Sequence, residues 1–348
     1  MRIARALAAA SAAALICAGA AQAATSELST STRLPDRREV AAGERSYAVG
    51  FEDGRFYANG WHSTGEMGGV WTPPLKLLDG VWFGVGDSWV GQATRFTSGW
   101  GYTRFDLPDA GGLKLSRTDF APDGRRAVLF GLKMTNPGPS DVSTTVKVDA
   151  HSELLGAYPW GFAGVTPNAS DNLADVGSFT DDALQFTDDG ALRPGLPEHH
   201  YAALVAANAK PSSGEAAASG GAFRGPQDPV KVCAADDGTS APSACDDGPF
   251  GKGTGGELRY DVTVPAGGSK TLWVAAAGSD KGLGAARGEL AAALEDPDAA
   301  LAAKIAARKK LGSYSQVSLP GDTLLQNAID WGKPVSYTHL TLPTNREV

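Results

Sequence analysis

Glu257–Leu294 reads ELRYDVTVPAGGSKTLWVAAAGSDKGLGAARGELAAAL, and this stretch decides the fold class. Glu257–Val264 and Ser269–Ala277 have strand character. They are separated by Pro265-Ala266-Gly267-Gly268, the residue types that reverse a chain, so the pair is expected to form a hairpin. A few residues later the period changes. Leu283, Ala286, Leu290 and Leu294 recur at helical spacing. The chain therefore passes from a β region into a helical one near residue 280.

Working back toward the N-terminus, only strand signals occur. Asp-Gly pairs at 53–54, 79–80 and 123–124, and Asp188-Asp189-Gly190, each sit between apolar runs and predict tight hairpins. The runs are Ser46–Phe51 and Arg55–Ala58, Leu75–Leu78 and Val81–Val85, Leu113–Phe120 and Arg126–Thr135, and Leu184–Phe186 and Ala191–Arg193. Val142–Val148 alternates Val142, Thr144, Val146 and Val148 on one face, and Tyr201–Ala206 adds another strand. Lys210–Gly256 reads as a long Gly/Ser/Asp/Pro-rich loop. Strands at this spacing without intervening helices predict a large antiparallel sandwich over residues 46–280.

Toward the C-terminus, Asp296 and Pro297 are an N-cap and a first helical residue. That helix carries Leu301 and Ile305 on one face, and Gly312 is its expected stop. Residues 281–318 thus form a helical linker. Asp322 caps a third helix, Thr323–Trp331, with Leu325 and Ile329 one turn apart.

The ends read differently from the middle. Residues 1–23 have the plan of a secretory signal peptide: Arg2 and Arg5, an apolar Ala6–Ala20 too short to span a bilayer, and an Ala21-Gln22-Ala23 cleavage site. Export to the cell exterior is the expectation, with a polar linker at 24–45. Cys17 would be lost with the leader, which leaves Cys233 and Cys245, most simply a disulfide in an exported protein. Two thiolates without a nearby His or Cys pair do not suggest zinc.

Composition narrows the function classes. The 348 residues carry a formal net charge of −8, which disfavours nucleic acid as a general partner. Apolar content of 42% is too high for a disordered chain. No membrane span, metal or cofactor is expected.

Three further stretches resemble a known family: Gly69–Gly80 (GVWTPPLKLLDG), Gly177–Tyr201 (GSFTDDALQFTDDGALRPGLPEHHY) and Leu319–Lys333 (LPGDTLLQNAIDWGK). Together they resemble secreted actinobacterial proteins of the glycogen-debranching, amylo-α-1,6-glucosidase-like type, within the six-hairpin glycosidases. The resemblance implies an N-terminal β-sandwich, a helical linker, and an (α/α)6 barrel that carries catalysis on α-glucosidic linkages of an oligosaccharide or α-glucan. On that mapping residues 319–334 are the first barrel helix. The two carboxylates that glycoside hydrolysis requires would lie in the barrel, so no catalytic residue is transferred to this chain. Residues 335–348 (VSYTHLTLPTNREV) resemble a translated sequencing adapter, which would make the chain an N-terminal fragment.

Among candidate contacts, Trp61, Trp71, Trp82, Trp89 and Trp100 crowd one segment. Indole faces can stack on sugar rings, but large aromatics are also ordinary core and domain-interface residues. Trp71 and Trp89, at turns, are the candidates for substrate contact. Gly86-Asp87-Ser88 imitates a GDS-type esterase nucleophile block, yet no Asp-x-x-His follows it to supply the base. His199 and His200 are adjacent on a strand and point to opposite faces, which argues against one shared ion. The acidic run Asp171–Asp189 lacks a calcium-loop pattern, and Gly251–Thr254 lacks phosphate-loop spacing. The alternative to the glycosidase reading is a stand-alone extracellular carbohydrate-binding or scaffold module.

Overall fold

In a computed structural model, the structure describes residues 26–56, 68–156, 173–191, 194–195, 197–217, 253–314, 317–319 and 321–340. The strands, in chain order, are β1 (Glu27–Thr30), β2 (Arg38–Ala42), β3 (Tyr47–Phe51), β4 (Gly69–Thr72), β5 (Leu75–Val85), β6 (Ser88–Trp89), β7 (Arg95–Gly99), β8 (Tyr102–Ala110) and β9 (Leu113–Phe120). They continue with β10 (Ala127–Thr135), β11 (Val142–Gly156), β12 (Val176–Thr180), β13 (Ala183–Gly190), β14 (His199–Ala207), β15 (Ser213–Ala216), β16 (Gly255–Val264) and β17 (Ser269–Ser279). The helices α1 (Leu283–Leu294), α2 (Pro297–Gly312) and α3 (Thr323–Leu340) follow.

The strands form two antiparallel sheets. One has nine strands, in the order β1-β7-β8-β9-β10-β17-β14-β13-β12. The other has eight, in the order β15-β16-β11-β5-β4-β3-β2, with β6 paired to β5. The chain is therefore mainly β, a large antiparallel sandwich. The opening hairpin exists as expected, but its strands part company: β16 pairs with β11 in one sheet and β17 with β10 in the other.

Strict alternation gives the larger sheet two apolar faces. Val128, Phe130, Leu132 and Met134 of β10, with Leu272, Val274 and Ala276 of β17, enter the core between the sheets. Ala127 and Leu129, with Trp273, Ala275 and Ala277, face the other way. There they meet Ala286, Leu290 and Ala293 of α1. The result is three layers, helices on sheet on sheet. Gly131 lies opposite Trp273 because a Cβ there would fall 2.5 Å from the indole ring. Trp273 in turn meets Phe120 edge-on at 5.5 Å, and its Nε1 donates to Asp298 of α2 at 3.1 Å.

Helix α2 is capped as expected, Ala299 N donating to Asp296 Oδ1 at 2.9 Å. Two cations fasten it to the sheets. Lys304 Nζ donates to the carbonyls of Ala42 (2.7 Å) and Ala121 (2.5 Å), and Arg308 forms a fork on Asp123 at 2.9 and 2.8 Å. Burial pulls the Lys304 ammonium down to about 8, against the opposing pull of Asp123.

Several expectations need correction. Asp79-Gly80 is not a turn: β5 runs through it, all eleven residues buried. Gly80 does not have the positive φ a type I′ turn needs, and a Cβ on it would fall 2.5 Å from the Phe56 Cβ. Asp188–Gly190 likewise belongs to β13; the hairpin turn is Asp181-Asp182, with φ of 55° and 61°. Beyond Asp53-Gly54, residues 55–56 lie outside the strands. Residues 24–45, read as linker, contribute β1 and β2. The loop read at Lys210–Gly256 contains β15. Helices α1 and α2 cover a sheet rather than merely link. Helix α3, expected to stop at Trp331, continues to Leu340.

Candidate functional site

The tryptophan segment separates into different environments. Trp71 on β4 is 1% exposed, stacks on Tyr47 at 6.2 Å, and its Nε1 donates to Gly68 O. It is a packing residue with no free face for a sugar. Trp100 is also buried. It meets Trp331 of α3 edge-on at 6.2 Å, so it joins sheet to helix. Trp89 is half-buried, with Lys147 Nζ 4.5 Å from its ring centroid. Trp82 is buried on β5. Trp61 lies outside the described residues, as do Cys233 and Cys245 and the leader.

Where the turn at Asp79 was expected, the structure has a β-bulge. Opposite β11, Gly80 pairs with His151 and Leu78 with Ser152, which leaves Asp79 as the extra residue. The bulge directs the Asp79 carboxylate to Lys76 Nζ at 2.5 Å and to His151 Nδ1 at 2.9 Å. All three side chains are at most 1% exposed. Beside them Ser152 Oγ donates to Asp175 Oδ2 at 2.6 Å, the Leu154 N–H donates to the same oxygen, and Thr254 N donates to Ser152 Oγ. Burial pushes the Asp175 carboxyl up to about 7 despite those donors. The Ser, His and Asp residues here resemble a hydrolase constellation only in composition: Ser152 is bound to one carboxylate and His151 to another, and all are sealed from solvent.

Two carboxyl pairs have the residue types of glycoside chemistry. Asp149 of β11 and Glu257 of β16 are cross-strand partners, with Trp82 next in the same row and Glu215 beyond. Burial, then the Glu257 carboxyl, pushes Asp149 up to about 8. Glu39 of β2 and Asp119 of β9 approach each other between the sheets, and burial raises both. Hydrolysis needs two carboxylates on opposite sides of a sugar, about 5–9.5 Å apart. Neither pair has access: the four carboxyl residues are at most 8% exposed.

The remaining sequence candidates take ordinary roles. Gly86-Asp87 is the two-residue turn between Val85 and Ser88, not a strand-to-helix elbow. His199 lies 2.9 Å from Asp188 and His200 2.8 Å from Asp189, each with its own partner. Among the described residues no cluster of three His, Cys, Asp or Glu is arranged to hold a metal ion. No helix among them is long and apolar enough to cross a membrane. Sequence reasoning missed the Lys76–Asp79–His151 centre. The available signal was the run Leu75–Val85, apolar apart from Lys76 and Asp79, which fits a strand buried on both faces better than a hairpin.

No family model matches this sequence, and no curated protein matches it. The fold does have solved likenesses. A kojibiose phosphorylase candidate from the human microbiome aligns at 10% identity over 85% of this chain and 38% of its own length, with a TM-score of 0.51. An inverting mannosidase of family GH92 from Bacteroides thetaiotaomicron aligns at 12% identity over 77% and 29%, with a TM-score of 0.41. The chain thus spans about two-fifths of the first protein and less than a third of the second. Over the aligned span the chain shares the fold of the phosphorylase candidate, a large antiparallel β-sandwich followed by helices.

Proposed function

We propose that this chain is the non-catalytic β-sandwich part of an exported glycoside hydrolase acting on α-glucosidic linkages of an oligosaccharide or α-glucan. The observation that carries the reading is the fold likeness over 85% of the chain to a protein of carbohydrate chemistry more than twice as long. Two features support it. The carboxyl pairs of the sandwich are buried, which fits catalysis by residues of another domain. Helix α3 exposes Leu324 (81%) and Leu325 (48%), apolar surface of the kind that meets a neighbouring domain. The three stretches that resemble glycogen-debranching proteins set the linkage class.

The test uses chain 24–348, purified and offered soluble α-glucan. Retention by immobilised α-glucan without release of reducing ends is expected. Turnover would overturn the non-catalytic assignment, and absence of any retention would remove the support for a carbohydrate role within this part.

A further inference from the structure

The Lys76–Asp79–His151 centre holds the parts of an amide-forming reaction. Residues three apart on a regular strand point to opposite faces, but the bulge at Asp79 turns its carboxyl to the side of Lys76. Lys76 Nζ then lies 2.5 Å from Asp79 Oδ1. A carbon–oxygen bond length beyond that contact, Nζ is no more than about 3.7 Å from the carboxyl carbon, close to the separation from which a bond forms. His151 Nδ1 donates to the other oxygen, Oδ2, at 2.9 Å.

The surroundings favour the reaction. The Lys76 and Asp79 side chains are 0% exposed and that of His151 is 1% exposed. Leu75, Leu77 and Leu78 beside them in the chain are buried as well, and the Trp71 ring lies 5.9 Å from Nζ. Two opposite charges in such a place are costly to desolvate, and a neutral amide in their stead removes both. An amine and a carboxyl held in contact by the fold also react as one molecule, at effective concentrations on the order of 10⁵ M or more.

We propose that Lys76 and Asp79 condense to a side-chain amide in the folded chain, with His151 as the hydrogen-bond donor that assists. The ion pair is the starting state. A proton passes from Nζ to Oδ1, which leaves a neutral amine beside a neutral acid. The Nζ lone pair attacks Cγ while the His151 Nδ1–H stabilises the charge that gathers on Oδ2. The Nζ–Cγ bond forms and the Cγ–Oδ1 bond breaks. Oδ1 leaves as water with two of the three ammonium hydrogens, and Oδ2 becomes the amide oxygen, still bound to His151. Nothing is oxidised or reduced. The new bond closes residues 76–79 of β5 on themselves and fixes the bulge.

The experiment is mass spectrometry of chain 24–348, with its cysteines reduced, first whole and then after trypsin. The whole chain should be one water lighter than its sequence. Between Arg55 and Arg95 the sole tryptic site is Lys76. Once linked, Lys76 no longer presents an ammonium to trypsin, so a single peptide 56–95, one water light, is expected in place of 56–76 and 77–95. Recovery of those two peptides at their sequence masses overturns the proposal. So does a peptide 77–95 that is one water light after cleavage at Lys76, because that is a succinimide closed at Asp79-Gly80. His151→Gln should slow linkage about 100-fold, read as cleavage restored after Lys76. Full linkage in that variant would remove His151 from the reaction, and the digest of the parent decides the amide whether or not the variant folds.

Discussion

Replacing Glu39 by glutamine should flatten the dependence of stability on pH. Glu39 is 3% exposed, neither carboxyl oxygen has a well-aligned hydrogen bond, and the nearby Thr103 hydroxyl offsets its burial only in part. The nearby guanidinium of Arg117 is already committed to Asp119 through Nε at 2.9 Å and to Gly54 O through Nη1 at 2.8 Å, and it stacks 4.4 Å from the Phe105 centroid. Burial first, and the Asp119 charge second, push the Glu39 carboxyl from 4.5 to about 8. The sign follows from proton binding. Below pH 4.5 both folded and unfolded chains hold the proton. Between 4.5 and about 8 the unfolded chain has lost it and the folded chain has not. Stability therefore declines by about 1.4 kcal/mol per pH unit through that window and levels off above it. Glutamine resembles the protonated acid and does not titrate. Between pH 5.5 and 7.5 the variant should gain about 2–3 kcal/mol relative to the parent. Urea unfolding followed by tryptophan fluorescence would show this as a divergence of midpoints on the order of 1 M. Parallel stability curves for the two proteins across this range would refute the assignment of a neutral Glu39. Asp119→Asn provides the contrast: it strands the Arg117 charge and should destabilise throughout the range.

Other expectations follow from packing and charge. Asp79→Ala removes the carboxylate that the buried Lys76 and His151 share and should cost about 3–5 kcal/mol in urea unfolding; a loss under 1 kcal/mol would contradict the ionic centre. Asp123→Ala removes the carboxylate shared by the two cations of α2, and trypsin should then cut after Lys304 or Arg308 in the native protein, where the parent resists; equal resistance would mean that the helix is held without that carboxylate. Cys233 and Cys245 are expected to be disulfide-bonded, so thiol titration of the denatured, unreduced mature chain should find no free thiol, and two would exclude the bond.

The sequence made some elements plain and concealed others for a common physical reason. Where a strand has one apolar face and a turn is exposed, pattern and structure agree: α1 has the expected bounds, Asp296 caps α2, and β9 and β10 flank Asp123-Gly124. Where a polar residue lies inside a continuous apolar stretch, the same letters support two structures. Asp-Gly at 79–80 is as good a local turn as Asp-Gly at 123–124. What separates them is distant: Lys76, His151 on β11, and Phe56, whose Cβ occupies the space a side chain at position 80 would need. Tertiary charge pairing thus overrides turn propensity, and a single sequence holds no record of it.

The same distinction governs the functional reading. The tryptophans announced themselves by spacing, yet Trp71 and Trp100 are spent on packing. Trp82, indistinguishable from them in sequence, is likewise buried on β5. A residue's type advertises what it can do, whereas its access to solvent shows what it can reach. By that criterion the carboxyl pairs, at most 8% exposed, are committed to the fold. Carboxyl groups that no sugar can reach are what support the proposal that bond cleavage belongs to another domain.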